Sequence, residues 1–302
     1  MEPSGVIIIN KPEGMTSHDV VNKMRRLFST KRVGHTGTLD PMATGVLVVL
    51  IGRAAKAAEY LSSDEKGYLA TLRLGTTYDT EDITGTPLSV CEDIPDENTV
   101  YTAINGFVGE ILQIPPMYSA LKVNGQKLCD LARKGIEIER EARPVTIYSI
   151  DAKKRSLPTD YTLLVKCSAG TYIRTLCADI GSALGCGGAM ATLCRTLAGG
   201  FSIEDSHTLE ELESLSLDER LSLLIPTESL FSNLEAVKLP AFYEKLCRNG
   251  CEIYLSKLRL TNSPSLGQRV RLLSQSGDFF ALGEVREYDS GPAIKAIKLF
   301  DI

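Results

Sequence analysis

Long apolar runs are missing from this chain: none approaches the ~20 residues that a membrane-spanning helix needs. Val6–Ile9 is too short for a signal-peptide core and has no basic leader or cleavage site around it, so a cytoplasmic location is expected. Histidine is scarce, with three residues (His18, His35 and His207), and the eight cysteines include no Cys-x-x-Cys pair. A zinc site is therefore not expected, and cysteines among apolar neighbours read as small hydrophobes. No Gly-x-x-x-x-Gly-Lys-Ser/Thr run occurs, which argues against a P-loop. A Gly-x-Ser-x-Gly elbow is also missing, and the histidines have no evident triad partners. Internal repeats and low-complexity tracts are absent.

Positive charge is in deficit as well. The chain carries 33 Lys and Arg against 38 Asp and Glu, a net charge of −5, which taken alone argues against nucleic acid. The charge is unevenly spread, however. Residues 201–235 hold nine acids and one base, and residues 120–155 hold nine bases and five acids. Residues 19–32 hold five bases and one acid, and residues 236–302 hold ten bases and seven acids. Phosphate binding depends on local charge; the same counts also fit solvated helix faces. A length of 302 residues, 43% apolar and 24% charged, suits a globular protein of about two domains.

The periodicities mix strands and helices without a βαβ rhythm, so the fold class expected is α+β. Val6–Ile9 reads as a buried strand. Thr16 with Asp19 reads as a helix N-terminus, followed by Val20, Val21, Met24, Leu27 and Phe28 at helical spacing. Arg53–Leu61 reads as an alanine-rich helix. Tyr68, Ala70, Leu72 and Leu74 alternate as one face of a strand, as do Tyr161, Leu163, Val165 and Cys167. Asp96–Val108 reads as a helix with Val100, Ile104, Phe107 and Val108 on one face. Thr171–Leu184 reads as another. After an acidic segment at 204–235, a short helix and three strands suggest a small β module, with a hairpin turn at Ser276–Asp278.

The stretch Val33–Gly52 sets one acid, Asp40, among glycines and threonines before an apolar run. Asp40 with Pro41 suits a helix N-cap. It also suits a nucleophile or general base, provided that the carboxylate stays ionised. Burial would raise its pKa unless a cation paired with it. Arg174, in the first turn of an apolar helix, is the candidate, because arginine stays charged and grips a carboxylate with two donors. The plainer reading of Arg174 is an exposed helix charge.

Several pieces in order make the chain resemble the TruB family, the tRNA pseudouridine-55 synthases, over nearly its whole length. They are Gly5-Val-Ile-Ile-Ile-Asn-Lys-Pro, Gly34-His-Thr-Gly-Thr-Leu-Asp-Pro and Ala43-Thr-Gly-Val-Leu, then Lys66-Gly-Tyr and Tyr78-Asp-Thr-Glu-Asp-Ile-Thr-Gly. Gln113-Ile-Pro-Pro-Met-Tyr-Ser-Ala-Leu-Lys, Ala132-Arg-Lys-Gly and Gly170-Thr-Tyr-Ile-Arg follow. The resemblance implies a catalytic domain over residues 1–236 on a mixed, largely antiparallel sheet with flanking helices. A basic RNA-clasping insertion is implied at about 118–145, and a small β-rich PUA-like RNA-binding domain at 237–302.

The resemblance also assigns roles. Asp40 is implied as the nucleophile, Tyr68 as the tyrosine that stacks on the base and exchanges a proton at C5, and Arg174 as the partner of Asp40. Tyr172 and Leu193 are implied around the uracil, His35 against the RNA where the base has swung out, and Lys11 with Pro12 as support near the site. The implied reaction converts uridine to pseudouridine at position 55 in the tRNA T-loop after base flipping. No cofactor and no metal are implied. The implied partner is the tRNA T-arm, with no membrane and no obligate protein partner; a monomer is the default expectation, since the sequence does not give the oligomeric state. The route of the carboxylate (attack at C1′, attack at C6, or a glycal path) stays open at this level. One departure from the family pattern is Cys194, where a second arginine often precedes the one at Arg195. It is expected to weaken a backbone contact by roughly 1 kcal/mol or to change its salt slope. Three other readings stand beside the enzyme: a tRNA-folding chaperone in which isomerisation is secondary, a guide-RNA-directed relative that needs protein partners, and a phosphate-binding metabolic enzyme.

Overall fold

The computed structural model describes residues 3–61, 65–119, 121–123, 125–260 and 262–300. Ala120 and Asn124 of the basic segment lie outside the described residues.

Alternating side chains build the main sheet. Tyr68, Ala70, Leu72 and Leu74 bury one face of the strand Lys66–Leu74, and Tyr161, Leu163, Val165 and Cys167 do the same on Asp160–Cys167. Each large apolar side chain so buried stabilises the fold by about 1.5–3 kcal/mol. Among the described residues this sheet has nine strands. Its main path runs Gly5–Lys11, Thr44–Ile51, Gly188–Ala198, Lys66–Leu74, Asp160–Cys167, Arg143–Lys154 and Gly109–Gln113. The pairing is antiparallel except where Thr44–Ile51 meets Gly188–Ala198, so the mixed, largely antiparallel α+β sheet expected is found.

The helices Glu97–Asn105 and Ile173–Ala183 pack on the face that carries Tyr68. The helix Ser17–Leu27 packs beside the strands Gly5–Lys11 and Thr44–Ile51, with Thr16 and Asp19 forming the expected capping box. Residues 52–60 form a 3-10 helix. Two local readings need correction. The helix from Glu97 ends at Asn105, capped by Gly106, so Val108 leaves the helical face and is exposed. Asp40 with Pro41 does not cap a helix, because the chain turns straight into the strand Thr44–Ile51.

The acidic segment is not a loose spacer. Leu209 and Leu212 pack in the core with Ile7 and Ile9, and Ile225 exchanges backbone hydrogen bonds with Val6. Beyond it stands a second sheet. Among the described residues it has five strands, ordered Glu235–Lys238, Arg269–Leu273, Phe279–Tyr288, Gly291–Leu299 and Ile253–Tyr254. The hairpin turn read at Ser276–Asp278 joins two of them. Phe279, Leu282 and Phe300 share a hydrophobic cluster with Phe231, Val6, Val46 and Val48 of the larger body. No helix among the described residues is long and apolar enough to cross a membrane.

Candidate active site

The Asp40 turn is held from three sides. Ser17, the first residue of its helix, takes the Leu39 amide at 2.8 Å and donates back to the Leu39 carbonyl. Lys11 is fully buried, and its ammonium donates to the carbonyls of Pro12 (2.8 Å), Met15 (2.6 Å) and Pro41 (3.3 Å). Burial lowers its pKa to about 8, against the nearby Asp40 charge. On the third side Arg195, from the strand Gly188–Ala198, donates to the Gly37 carbonyl at 3.1 Å.

Arg174 comes from the start of the helix Ile173–Ala183. Tyr172 precedes that helix, and Gln113 anchors its backbone by accepting from its amide (3.0 Å) and donating to its carbonyl (3.1 Å). Arg174 is buried, and its Nε lies 3.1 Å from an Asp40 carboxylate oxygen. Its other nitrogens donate to the carbonyls of Thr80 (3.2 Å) and Tyr118 (2.8 Å), and Asp82 sits 3.6 Å away. A cation in a first helical turn opposes the helix dipole; two carboxylates offset that here. Burial raises the Asp40 carboxyl above its usual range and Asp82 adds to the rise, while Arg174 opposes both. The exposed-charge reading of Arg174 is therefore set aside.

A cavity of about 440 Å³ brings together Asp40, Tyr68, Tyr172, Arg174, Leu193 and Arg195. Five of these were expected from the sequence. Tyr68 is buried, and burial raises its phenol while Arg195 opposes the rise. Tyr172 is half-buried, with its phenol likewise raised by burial. His35 and Lys11 do not line the cavity. His35 stands behind the turn, where its Nδ1 accepts from the Gly37 amide at 3.2 Å, and burial followed by Arg195 lowers its pKa. Lys11 braces the turn from below. Cys194 lines a different cleft, about 660 Å³, with Leu69 and Thr71, so the departure from the family pattern falls outside the Asp40 cavity.

Two site residues had no role assigned from the sequence. Asp82 sits in a run with Asp79 and Glu81, and nothing in the spelling says which acid turns inward. In the fold, Thr80 and Thr84 donate to one Asp82 oxygen and leave the other for Arg174. Arg195 was visible only as the surviving arginine after Leu193. No three His, Cys, Asp or Glu side chains among the described residues gather to hold a metal ion.

Residues 25–173 match the family model described as TruB family pseudouridylate synthase (N terminal domain), and residues 174–232 match that of the tRNA pseudouridylate synthase B C-terminal domain. The fold and both matches thus make the chain a pseudouridine synthase, an isomerase. The chain is 45% identical over 98% of its length to a Clostridium kluyveri protein named tRNA pseudouridine synthase B, covering 99% of it. It is 43% identical to the protein of that name from Alkaliphilus oremlandii, over 98% of each chain. A solved chain from a Cbf5-Nop10-Gar1 complex superposes with a TM-score of 0.72 at 26% identity, covering 98% of this chain and 84% of that one. The chain belongs to the TruB family.

Proposed function

We propose that the chain isomerises uridine to pseudouridine at position 55 in the T-loop of tRNA, with Asp40 as nucleophile and no cofactor. The observation that carries this is the Asp40 carboxylate, paired with Arg174 at 3.1 Å on the wall of a cavity it shares with Tyr68 and Leu193. The tRNA substrate follows the names of relatives more than 40% identical over nearly the full chain. In this reading the N1–C1′ bond breaks, the uracil turns, and C5 bonds to C1′. C5 then gives up its proton and N1 gains one, so substrate and product are isomers. Tyr68 stacks on the base and exchanges the C5 proton; Tyr172 and Leu193 flank the ring.

A stacked uridine does not present C1′ to a carboxylate on the wall of a cavity. The base must flip out, at a cost of a few kcal/mol in lost stacking that aromatic and apolar contacts offset. His35, standing just outside the cavity, is proposed to touch the RNA where the base has left. We further propose that residues 1–236 form the catalytic domain, with the basic segment near 118–145 clasping the T-arm, and that 237–302 form a PUA-like RNA-binding domain. The protein is proposed to act as a cytoplasmic monomer without an obligate protein partner.

The test is tritium release from an unmodified tRNA transcript carrying 5-³H-uridine. Wild type should release tritium. Release should vanish with Asp40→Ala and with a transcript changed at the T-loop uridine. A folded wild-type protein that binds the transcript but releases nothing would sink the catalytic reading and favour a tRNA-folding role.

A further inference from the structure

Arg195 is a buried cation with no carboxylate in an ion pair with it among the described residues. That sets it apart from Arg174, which has two acids. Burying a guanidinium without an acid is costly unless its donors are satisfied. Here they are met by neutral oxygens. Nε donates to the Val46 carbonyl at 2.7 Å and another nitrogen donates to the Gly37 carbonyl at 3.1 Å, and the Tyr68 phenol lines the same cavity, close enough to oppose the lowering of the Arg195 pKa by burial. These three groups lie on different parts of the chain: the strand Thr44–Ile51, the turn that carries Asp40, and the strand Lys66–Leu74. Tyr68 and Gly45 are also the cross-strand neighbours of Arg195, one on each side. The other charged or titratable groups near enough to sense it are Lys11 and His35.

A packing role alone does not call for such a residue, since an apolar side chain would fill the space without the cost of a lone charge. A planar fork with fixed donor directions does something an apolar group does not: it fixes one oxygen relative to another. We infer that Arg195 is a positioning residue that grips the Gly37 carbonyl from the strand position beside Tyr68 and so sets where the Tyr68 hydroxyl stands relative to Asp40, three residues along the same turn. The inference rests on the proposed roles of Asp40 and Tyr68. Arg195 acts through Tyr68, so its loss should slow the step in which C5 loses its proton and leave RNA binding alone.

The experiment compares wild type, Arg195→Gln, Arg195→Lys and Tyr68→Phe in single turnovers on tRNA transcripts carrying 5-¹H- or 5-²H-uridine. Transcript Kd and thermal melting are measured alongside. Arg195→Gln should slow pseudouridine formation on the order of 100-fold, as misplacement of a reacting group does. Its Kd should stay within about threefold of wild type, and its deuterium isotope effect should rise. Arg195→Lys keeps the charge but loses the fork, so its rate should fall on the order of tenfold with the same rise in isotope effect; it serves if the glutamine variant does not fold. A slow Tyr68→Phe beside Arg195 variants of wild-type rate would overturn the positioning role and leave the reading of Tyr68 intact. The same holds for Arg195 variants that slow without any change in isotope effect. A wild-type rate in Tyr68→Phe would remove the role of Tyr68, and the inference with it.

Discussion

Asp40 sits between opposed influences. Burial and the neighbouring Asp82 favour its neutral form, and Arg174 favours the carboxylate. An aspartate in water titrates near ~3.9, and the carboxyl here lies above that. In its proposed role as nucleophile it must be ionised, so the rate should fall as pH drops through this raised value. Arg174→Gln removes the opposing cation: the acid limb should move to higher pH and the rate at neutral pH fall on the order of 100-fold. Asp82→Asn removes the like charge, so the limb should move to lower pH. Arg174 then loses one anchor, and the rate should drop roughly tenfold. Single-turnover rates from acid to neutral pH test both shifts, and an unmoved limb in Arg174→Gln would refute the electrostatic account. At this scale, Asp40, Tyr68, Tyr172 and Arg174 stand out because each falls inside a distinctive motif, whereas Leu193 was singled out by the family resemblance alone; all five line one cavity. Asp82 does not stand out: which of three neighbouring acids turns inward depends on the hydrogen bonds of a folded loop.

Among the elements, the decisive one is the crossing of Thr44–Ile51 with Gly188–Ala198, where Gly45 lies opposite Arg195. Gly45 has φ +95°, and a Cβ there would come within 2.2 Å of the Arg195 carbonyl oxygen. That contact is with backbone, so no side-chain rotation relieves it. Gly45→Ala should destabilise the protein by about 3 kcal/mol or more, from left-handed strain and the clash together. It should also cost activity, because the crossing seats Arg195 against the Asp40 turn. Urea denaturation decides the matter; a loss below about 1 kcal/mol would mean that the strands part at little cost. The strands and helices themselves were readable from periodicity and capping residues. Their pairing was not, because Cys194 and Thr44 are neighbours in space and far apart in sequence.

Across the whole molecule, the two sheets are joined by an aromatic contact. Phe231 lies with its ring centroid 5.9 Å from that of Phe279 and 5.8 Å from that of Phe300, in a cluster that reaches Val6 and Val48. The Tyr60 hydroxyl and Lys56 ammonium donate to the carbonyls of Ile297 and Leu299, and Lys298 pairs with Glu59. Losing three large apolar partners at about 1.5–3 kcal/mol each is a large share of a typical stability of ~5–15 kcal/mol. The full chain should therefore melt in one calorimetric transition, and a fragment ending at residue 232 should melt at a lower temperature. Two resolved transitions in the full chain, with the fragment matching one of them, would show that the sheets are energetically independent.

By itself the sequence determined the local elements, the motif turn and the identities of most cavity residues, because capping, alternation and glycine-rich turns act over a few positions. It also held enough motifs in order to point to the family. Only the tertiary structure decided that Asp82 joins Asp40 on Arg174, and that Arg195 is buried between Gly37 and Tyr68 with no acid paired to it among the described residues. It likewise decided that His35 and Lys11 stand outside the cavity. The reason is physical. Which partner a charge meets, and how far burial shifts its proton, depends on strands and loops brought together across a sheet, and no short window of sequence contains both sides of that contact.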